Sequence, residues 1–237
     1  MSALRDAYEA DGYRTGLRAL DTAGADLLRA RFDALEAVEG REKTRIGLID
    51  RHFDLPFLWE LATSPAIVDP VSELLGPDVL LLATHVFCKY GRDEKWVAWH
   101  QDVTYWGLEP PVALTVWLAI DDADVENGCM RVIPGSHRGG IREHGKARGE
   151  GNLLSVNQEV PVADDEAARA VDLPLRAGEM SFHDGRLIHG SLPNRSDRRR
   201  CGLTLRYVPA HVRQRADNSH GKRWRTVVVR GQGPETI

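Results

Sequence analysis

The sequence predicts a mainly β domain, a sandwich or barrel, preceded by a helical segment. After Pro77, short segments rich in β-forming residues recur at close spacing, and Gly, Pro, Asn or Asp bound most of them. Such spacing is typical of a sandwich or barrel rather than of βαβ units. Before Pro77 the apolar residues recur at helical spacing. A chain of 237 residues with 42% hydrophobic residues can bury one core, so we expect a single domain over residues 1–237.

The first 77 residues are predicted to be mostly helical. In residues 22–37 the leucines and a phenylalanine recur at three- and four-residue spacing and form one apolar stripe. Residues 57–63 predict a second, short helix. A third helix is expected to begin after Ser64 as its N-cap, with Pro65 in the first helical position, and to stop at Gly76.

The jelly-roll core is expected within residues 78–231, with an irregular insertion at 138–169. The predicted strands are 79–91, 112–120, 130–134, 171–175, 179–184, 186–191, 203–209 and 225–231. The insertion has several glycines and charges and no sustained periodicity. A segment of this kind is either a lid or binding loop, or simply mobile surface.

Composition and charge exclude several classes of protein. A formal net charge of −4 gives no reason to expect a nucleic acid or an anionic membrane surface as partner. No apolar run reaches the roughly 20 residues that a membrane span needs. Three widely spaced cysteines argue against a disulfide framework and a CxxC zinc site. The N-terminus is charged and unlike a signal peptide. We therefore expect a cytoplasmic protein.

The stretch VAWHQDVTYW (97–106) contains a candidate metal site. A lone His-x-Asp triplet has little weight, because chance produces about one in a chain with 9 histidines. In an extended chain, however, His100 and Asp102 project to the same face and Gln101 turns away. A third ligand from another strand would complete a 2-His-1-carboxylate set, which suits Fe(II) and leaves coordination positions open. Among the other histidines, His189 has a distinctive setting at the end of RLIH.

Three ordered motifs indicate a family. HQD at 100–102, VWLAIDDADVENGCMRVIPGSH at 116–137, and HGSLPN at 189–194 with Arg200 eleven residues after His189 resemble the phytanoyl-CoA dioxygenase family. The resemblance covers roughly residues 8–210. It implies a double-stranded β-helix, also called a jelly roll or cupin-like fold, with N-terminal packing helices. It also implies an Fe(II)- and 2-oxoglutarate-dependent oxygenase that uses O2.

The resemblance assigns roles to five residues. His100, Asp102 and His189 match the family's iron ligands and form the catalytic centre. Arg200 matches the arginine that pairs with the distal carboxylate of 2-oxoglutarate, and Ser191 matches a hydroxyl that bonds the same group. The chemistry agrees, because a guanidinium and a hydroxyl are good donors to a carboxylate.

Further side chains are expected near the site, each with an alternative. The candidates are Lys89 and Thr115 for the cofactor, and Tyr105, Trp106, Trp117, Arg131 and Arg206 for the substrate. Lys89 could instead end its strand in solvent. The aromatic residues and the threonine could simply belong to the core, and the arginines could form surface salt bridges. His137 and His183 are expected to be structural.

The resemblance implies hydroxylation of an unactivated C–H bond in a small metabolite or natural-product intermediate, with release of succinate and CO2. Related halogenases lack the carboxylate ligand, so Asp102 favours hydroxylation over halogenation. Desaturation, cyclisation and epimerisation remain open, as does a metal-binding jelly-roll protein that is not an oxygenase. We expect a monomer or homodimer.

Overall fold

The computed structural model describes residues 2–147, 150–154, 157–216 and 223–234. The helices are α1 (Ala3–Asp11), α2 (Thr22–Glu39), α3 (Arg41–Ile46), α4 (Pro56–Ala62), α5 (Pro65–Leu75) and α6 (Asp164–Ala167). The strands are β1 (Tyr13–Arg18), β2 (Val79–Lys89), β3 (Val97–His100), β4 (Leu108–Glu109), β5 (Leu114–Ala119), β6 (Met130–Val132), β7 (Gly145–Lys146), β8 (Gln158–Glu159), β9 (Val171–Leu173), β10 (Glu179–Asp184), β11 (His189–Ser191), β12 (Arg200–Pro209), β13 (Arg213–Gln214) and β14 (Val227–Arg230).

Two antiparallel sheets form the body of the domain. The major sheet has six strands in the order β1-β10-β5-β12-β2-β14, and the minor sheet has four in the order β3-β11-β6-β9. Strand β5 shows how the major sheet divides its two faces, because side chains alternate along a strand. Leu114, Val116 and Leu118 join an apolar cluster with the N-terminal helices. Trp117 belongs to a different cluster that includes Met130 of the minor sheet.

The N-terminal segment is mostly helical, as predicted, and covers the outer face of the major sheet. Helices α2, α4 and α5 contribute buried apolar side chains to the cluster they share with this sheet. Helix α5 is the third helix that the sequence predicts. Ser64 is its N-cap residue, Pro65 is its first residue and Gly76 is its C-cap residue, as predicted. The sequence analysis did not anticipate β1, which pairs with the edge of β10. Gly12, in the left-handed region at φ 81°, ends α1 and turns the chain into this strand.

Several predicted strands are shifted or shortened. Strand β3 ends at His100, and Asp102 opens a short 3-10 turn, so the extended stretch predicted across both residues is too long. Gln101 between them is still extended, at φ −121° and ψ 123°, which keeps the two side chains on one face. Strand β12 begins at Arg200, three residues before the predicted start, and this places Arg200 directly opposite Lys89 of β2.

The insertion at 138–169 contains the two-stranded β7–β8 sheet and the short helix α6, and its other described residues are irregular. Arg142 and Glu166 form an ion pair within it. Within the described parts of the chain, none of the helices combines the length and the apolar character that a bilayer crossing requires.

Gly202 in β12 leaves room for an aromatic ring. A Cβ atom at this position would lie 2.0 Å from Cζ2 of Trp117. We predict that Gly202→Ala lowers the free energy of unfolding by about 1–3 kcal/mol, because the buried ring has to move. Urea denaturation measures the effect. Gly145→Ala is the control, since among the described residues, its two chain neighbours aside, no atom lies within 4 Å of the added methyl group. Equal stability of the two variants would contradict the prediction.

Candidate metal centre

Three predicted ligands converge in one cavity, which is lined by residues of both sheets. His100 ends β3 and His189 begins β11, and the two residues are partners in the β3–β11 register. Asp102 follows His100 by two residues. Their candidate ligand atoms all lie within 4.8 Å of one another, and all three side chains are buried. The structure therefore brings together the two histidines and the carboxylate that the sequence indicated.

Backbone carbonyl groups fix the orientation of both imidazoles. The Nδ1 atom of His100 donates to the carbonyl of Ala98 at 2.8 Å, and Nδ1 of His189 donates to that of Leu187 at 3.0 Å. In the neutral tautomer that this bond selects, Nε2 carries the lone pair, and both Nε2 atoms face Oδ1 of Asp102, at 3.5 and 4.0 Å. Burial holds the pKa of His189 well below its ordinary value, so its ligand form is favoured.

The charge state of Asp102 also suits a metal. Burial alone would raise the pKa of this carboxyl, but contacts with His100 and His183 and the charge of Arg206 outweigh it and hold the pKa well below its usual range. An ionised carboxylate beside two neutral imidazoles is the donor set that Fe(II) takes in mononuclear non-haem sites. The three residues thus fit the iron that the sequence led us to expect.

Two cations are buried next to Ser191, and one of them, Arg200, lines the cavity. The Nζ atom of Lys89 donates to Oγ of Ser191 at 2.6 Å and to the carbonyl of Leu192. Arg200 donates from Nε and Nη2 to the carbonyl of Gly128, at 3.0 and 2.6 Å, and from Nη2 to Ser191 at 3.3 Å. Burial, followed by the charge of Arg200, holds the pKa of Lys89 well below its ordinary value. Lys89 therefore does not end in solvent.

Of the other predicted residues, Thr115, Trp117 and Arg206 line the cavity. Thr115, expected at the cofactor, donates to Oδ2 of Asp102 at 2.7 Å. The ring of Trp117 lies 5.4 Å from the guanidinium carbon of Arg200. The side chain of Arg206 is 11% exposed and lies on the carboxylate side of the cavity, with its Nε atom 3.9 Å from Oδ2 of Asp102.

Three of the substrate candidates lie outside the cavity lining. Arg131 pairs with Asp172 across strands β6 and β9 at 2.8 Å. Trp106 is buried in an apolar cluster and packs under the guanidinium of Arg206 at 5.3 Å. Tyr105 is half-buried, with its ring centroid 6.1 Å from that of His100.

His183 was expected to be structural, but it lies within the site. Its Nε2 atom is 3.5 Å from Oδ2 of Asp102, and its ring centroid is 4.3 Å from that of His189. His137 instead packs against the N-terminal helix, with Nε2 donating to the carbonyl of Glu9 at 3.2 Å. His183 reaches the site because it pairs with Thr115 in the register of β10 and β5. No local sequence pattern gives this register, so the sequence alone does not distinguish His183 from His137.

A family model described as phytanoyl-CoA dioxygenase (PhyH) matches residues 2–202. The chain belongs to the phytanoyl-CoA dioxygenase family. Among curated relatives, peroxisomal phytanoyl-CoA dioxygenase of Bos taurus is 28% identical over 158 residues, which cover 65% of this chain and 47% of that protein. L-proline trans-4-hydroxylase of Streptomyces griseoviridis is 33% identical over 173 residues, which cover 64% of each chain. The match to these relatives is therefore partial, about half to two thirds of their length.

Solved structures of this fold resemble nearly the whole chain. The non-heme monooxygenase ThoJ is 30% identical with a TM-score of 0.80, covering 98% of this chain and 89% of its own. The epimerase SnoN, solved with Fe3+, alpha ketoglutarate and nogalamycin RO, is 26% identical with a TM-score of 0.74, covering 90% and 84%. These findings confirm the family and the jelly-roll fold predicted from the sequence. The predicted iron and 2-oxoglutarate agree with the ligands of SnoN.

Gln101 connects the insertion to the segment that carries two of the candidate metal ligands. It lies between His100 and Asp102 with its side chain fully buried. Its Nε2 atom donates to the carbonyls of Gly140 and Arg186, at 2.8 and 2.6 Å, and its Oε1 atom accepts from the backbone N–H of Arg142 at 2.7 Å. One side chain therefore joins the start of the insertion to the ligand segment.

We predict that Gln101→Ala lowers the free energy of unfolding by about 2–4 kcal/mol, because three backbone groups lose their partner. Limited trypsin digestion should also cut faster within residues 138–169. Gln232→Ala, at an exposed position, is the control and should change stability by less than about 0.5 kcal/mol. An unchanged digestion rate in Gln101→Ala would show that the insertion is held by other contacts.

Proposed function

We propose that this chain is an Fe(II)- and 2-oxoglutarate-dependent dioxygenase that hydroxylates an unactivated C–H bond of a small metabolite or natural-product intermediate. Substrate, 2-oxoglutarate and O2 give hydroxylated product, succinate and CO2. One observation carries the proposal. Lys89 and Arg200 are buried together beside the three candidate ligands, and within the described part of the chain no salt bridge joins either to a carboxylate.

The buried cations favour an anionic co-substrate. Burying a charged group in a protein interior costs several kcal/mol of desolvation free energy per ion, unless an opposite charge or strong hydrogen bonds compensate for it. Lys89 and Arg200 meet carbonyl and hydroxyl oxygens, which are neutral acceptors. A carboxylate placed between them would form charge-assisted bonds with both. Ser191 accepts from both cations, which leaves its own hydroxyl proton for that carboxylate.

The candidate ligands would hold the metal beside this anion pocket. His100, Asp102 and His189 supply two neutral nitrogens and one ionised oxygen, and iron bound there with 2-oxoglutarate would supply the oxidising chemistry. Trp117 packs beside Arg200 and keeps its guanidinium on the cavity side. The rest of the wall includes four apolar side chains that exclude water from the reacting bond: Phe87, Val97, Met130 and Leu154.

The relatives support a small substrate. One relative is named for hydroxylation of L-proline, and SnoN was solved with a nogalamycin compound. Arg206 is a cation on the same wall, where an acidic group of a substrate would be favoured.

A second candidate function is a different outcome of the same oxidation. It is favoured by the similarity to the epimerase SnoN and to the carbocyclase SnoK, which is 25% identical with a TM-score of 0.71. Product mass separates the outcomes. Hydroxylation adds one oxygen atom, epimerisation leaves the mass unchanged, and ring closure or desaturation removes two hydrogen atoms.

We predict that, without oxygen, Fe(II) and 2-oxoglutarate give a visible metal-to-ligand charge-transfer band with this protein. Arg200→Gln should weaken 2-oxoglutarate binding roughly 10- to 100-fold, because the charge-assisted hydrogen bonds to the carboxylate are lost. Titration of the band with 2-oxoglutarate at fixed iron measures the affinity. Arg131→Gln is the matched control, because this arginine pairs with Asp172 outside the cavity. An iron-loaded protein without the band, or equal affinity in both variants, would refute the proposed co-substrate site.

We expect substrate turnover to release succinate in a fixed ratio to an oxidised product. A panel of free amino acids, including L-proline, and small natural-product intermediates can be screened by succinate release and by product mass. An added oxygen atom supports hydroxylation. If succinate release consistently accompanies a product of unchanged mass, or one with two fewer hydrogen atoms, the second candidate function replaces hydroxylation.

A further inference from the structure

The two oxygen atoms of Asp102 face different surroundings. Oδ1 faces the Nε2 atoms of His100 and His189, at 3.5 and 4.0 Å. Oδ2 faces three side chains of the major sheet: Thr115 Oγ1 at 2.7 Å, His183 Nε2 at 3.5 Å and Arg206 Nε at 3.9 Å. One oxygen thus points to the candidate metal and the other points to the sheet.

These three side chains form one row across the major sheet. Thr115 of β5 is the register partner of His183 in β10 and of Arg206 in β12. Residues directly opposite each other in antiparallel strands project to the same face, which here is the cavity face. The row is therefore a product of strand pairing, and it reaches Asp102 from a sheet different from the one that carries the histidine ligands.

In two members of the row, the atom that faces Oδ2 has no hydrogen-bond partner among the described residues. His183 is 1% exposed, and neither of its ring nitrogens has a hydrogen-bond partner within the described residues. The same is true of Nε of Arg206. Buried donors without partners are costly, and Oδ2 is the acceptor that these two approach.

We propose that the row of His183, Thr115 and Arg206 positions Asp102, holding Oδ2 against the major sheet so that the carboxylate binds metal through Oδ1 alone. This inference rests on the proposed function. Ligation through one oxygen uses one coordination position, whereas ligation through both would use two of the positions that co-substrate and O2 need. Thr115, whose hydroxyl makes the shortest contact, is the main positioning residue.

The test uses Co(II) alone as the probe, with the whole 237-residue chain. Isothermal titration measures its affinity, and the intensity of the Co(II) ligand-field absorption bands reports its coordination number. Thr115→Val removes the hydroxyl at nearly constant volume, and Thr115→Ser restores it. Thr204→Val is the matched control, because Thr204 lies on the same cavity wall but donates to the carbonyl of His85 at 2.9 Å.

We expect Thr115→Val to bind Co(II) roughly 10- to 100-fold more weakly than wild type, as is common when a partner of a metal ligand is removed. Its ligand-field bands should also lose intensity, because a carboxylate free to bind through both oxygens raises the coordination number. Thr115→Ser should recover both affinity and spectrum, and Thr204→Val should match wild type. If Thr115→Val does not fold, Arg206→Met tests the same row with the same two measurements.

Wild-type affinity and spectrum in Thr115→Val would overturn the inference and leave the proposed function intact. Equal weakening by Thr204→Val would also overturn it, because the loss would then come from cavity packing in general. Wild-type protein that binds no Co(II) would overturn the proposed metal site itself, and the inference with it.

Discussion

The site depends on an ionised carboxylate that is almost completely removed from water. Asp102 is 4% exposed, and a buried charge of this kind costs several kcal/mol unless its neighbours compensate it. The minor sheet supplies two imidazoles for one oxygen, and the major sheet supplies a hydroxyl, a third imidazole and a guanidinium for the other. The charge of Asp102 is therefore compensated only when both sheets lie within contact distance of it. The cavity lies between the sheets at this point.

Positive charge is in excess around this carboxylate. Lys89 and Arg200 are buried, the side chain of Arg206 is 11% exposed, and among the three only Arg206 approaches Asp102. A divalent metal would add to the imbalance, so molecules that bind with it would have to bring negative charge. The proposed dianionic co-substrate would meet that need at Lys89 and Arg200. The lowered pKa of Lys89 points the same way, because burial and a neighbouring cation destabilise its charge until an anion arrives.

Local sequence patterns predicted the parts of the site that depend on one strand at a time. The pair His100 and Asp102 follows from side-chain alternation in an extended chain, and the strand content follows from β-forming runs between turn residues. His189, Arg200 and Ser191 needed the family resemblance, because no local pattern joins them to the first pair. The role of His183 and the contact of Thr115 with Asp102 depend on register across β10, β5 and β12, which a single sequence does not contain. Strand β1 was missed for the same reason, since it is stabilised by its pairing with β10.

The candidate metal site and the insertion lie in different parts of the fold. The ligands, the anion pocket and the row around Asp102 lie on regular strands or next to them, where packing limits their movement. The insertion at 138–169 contributes Leu154 to the cavity wall and is tied to the ligand segment through Gln101. A substrate that contacts the insertion can therefore influence the spacing of His100 and Asp102 through a single buried amide. Selectivity and metal geometry are linked at that point, so a change in the insertion that alters which substrate binds should also alter how well oxidation of 2-oxoglutarate is coupled to product.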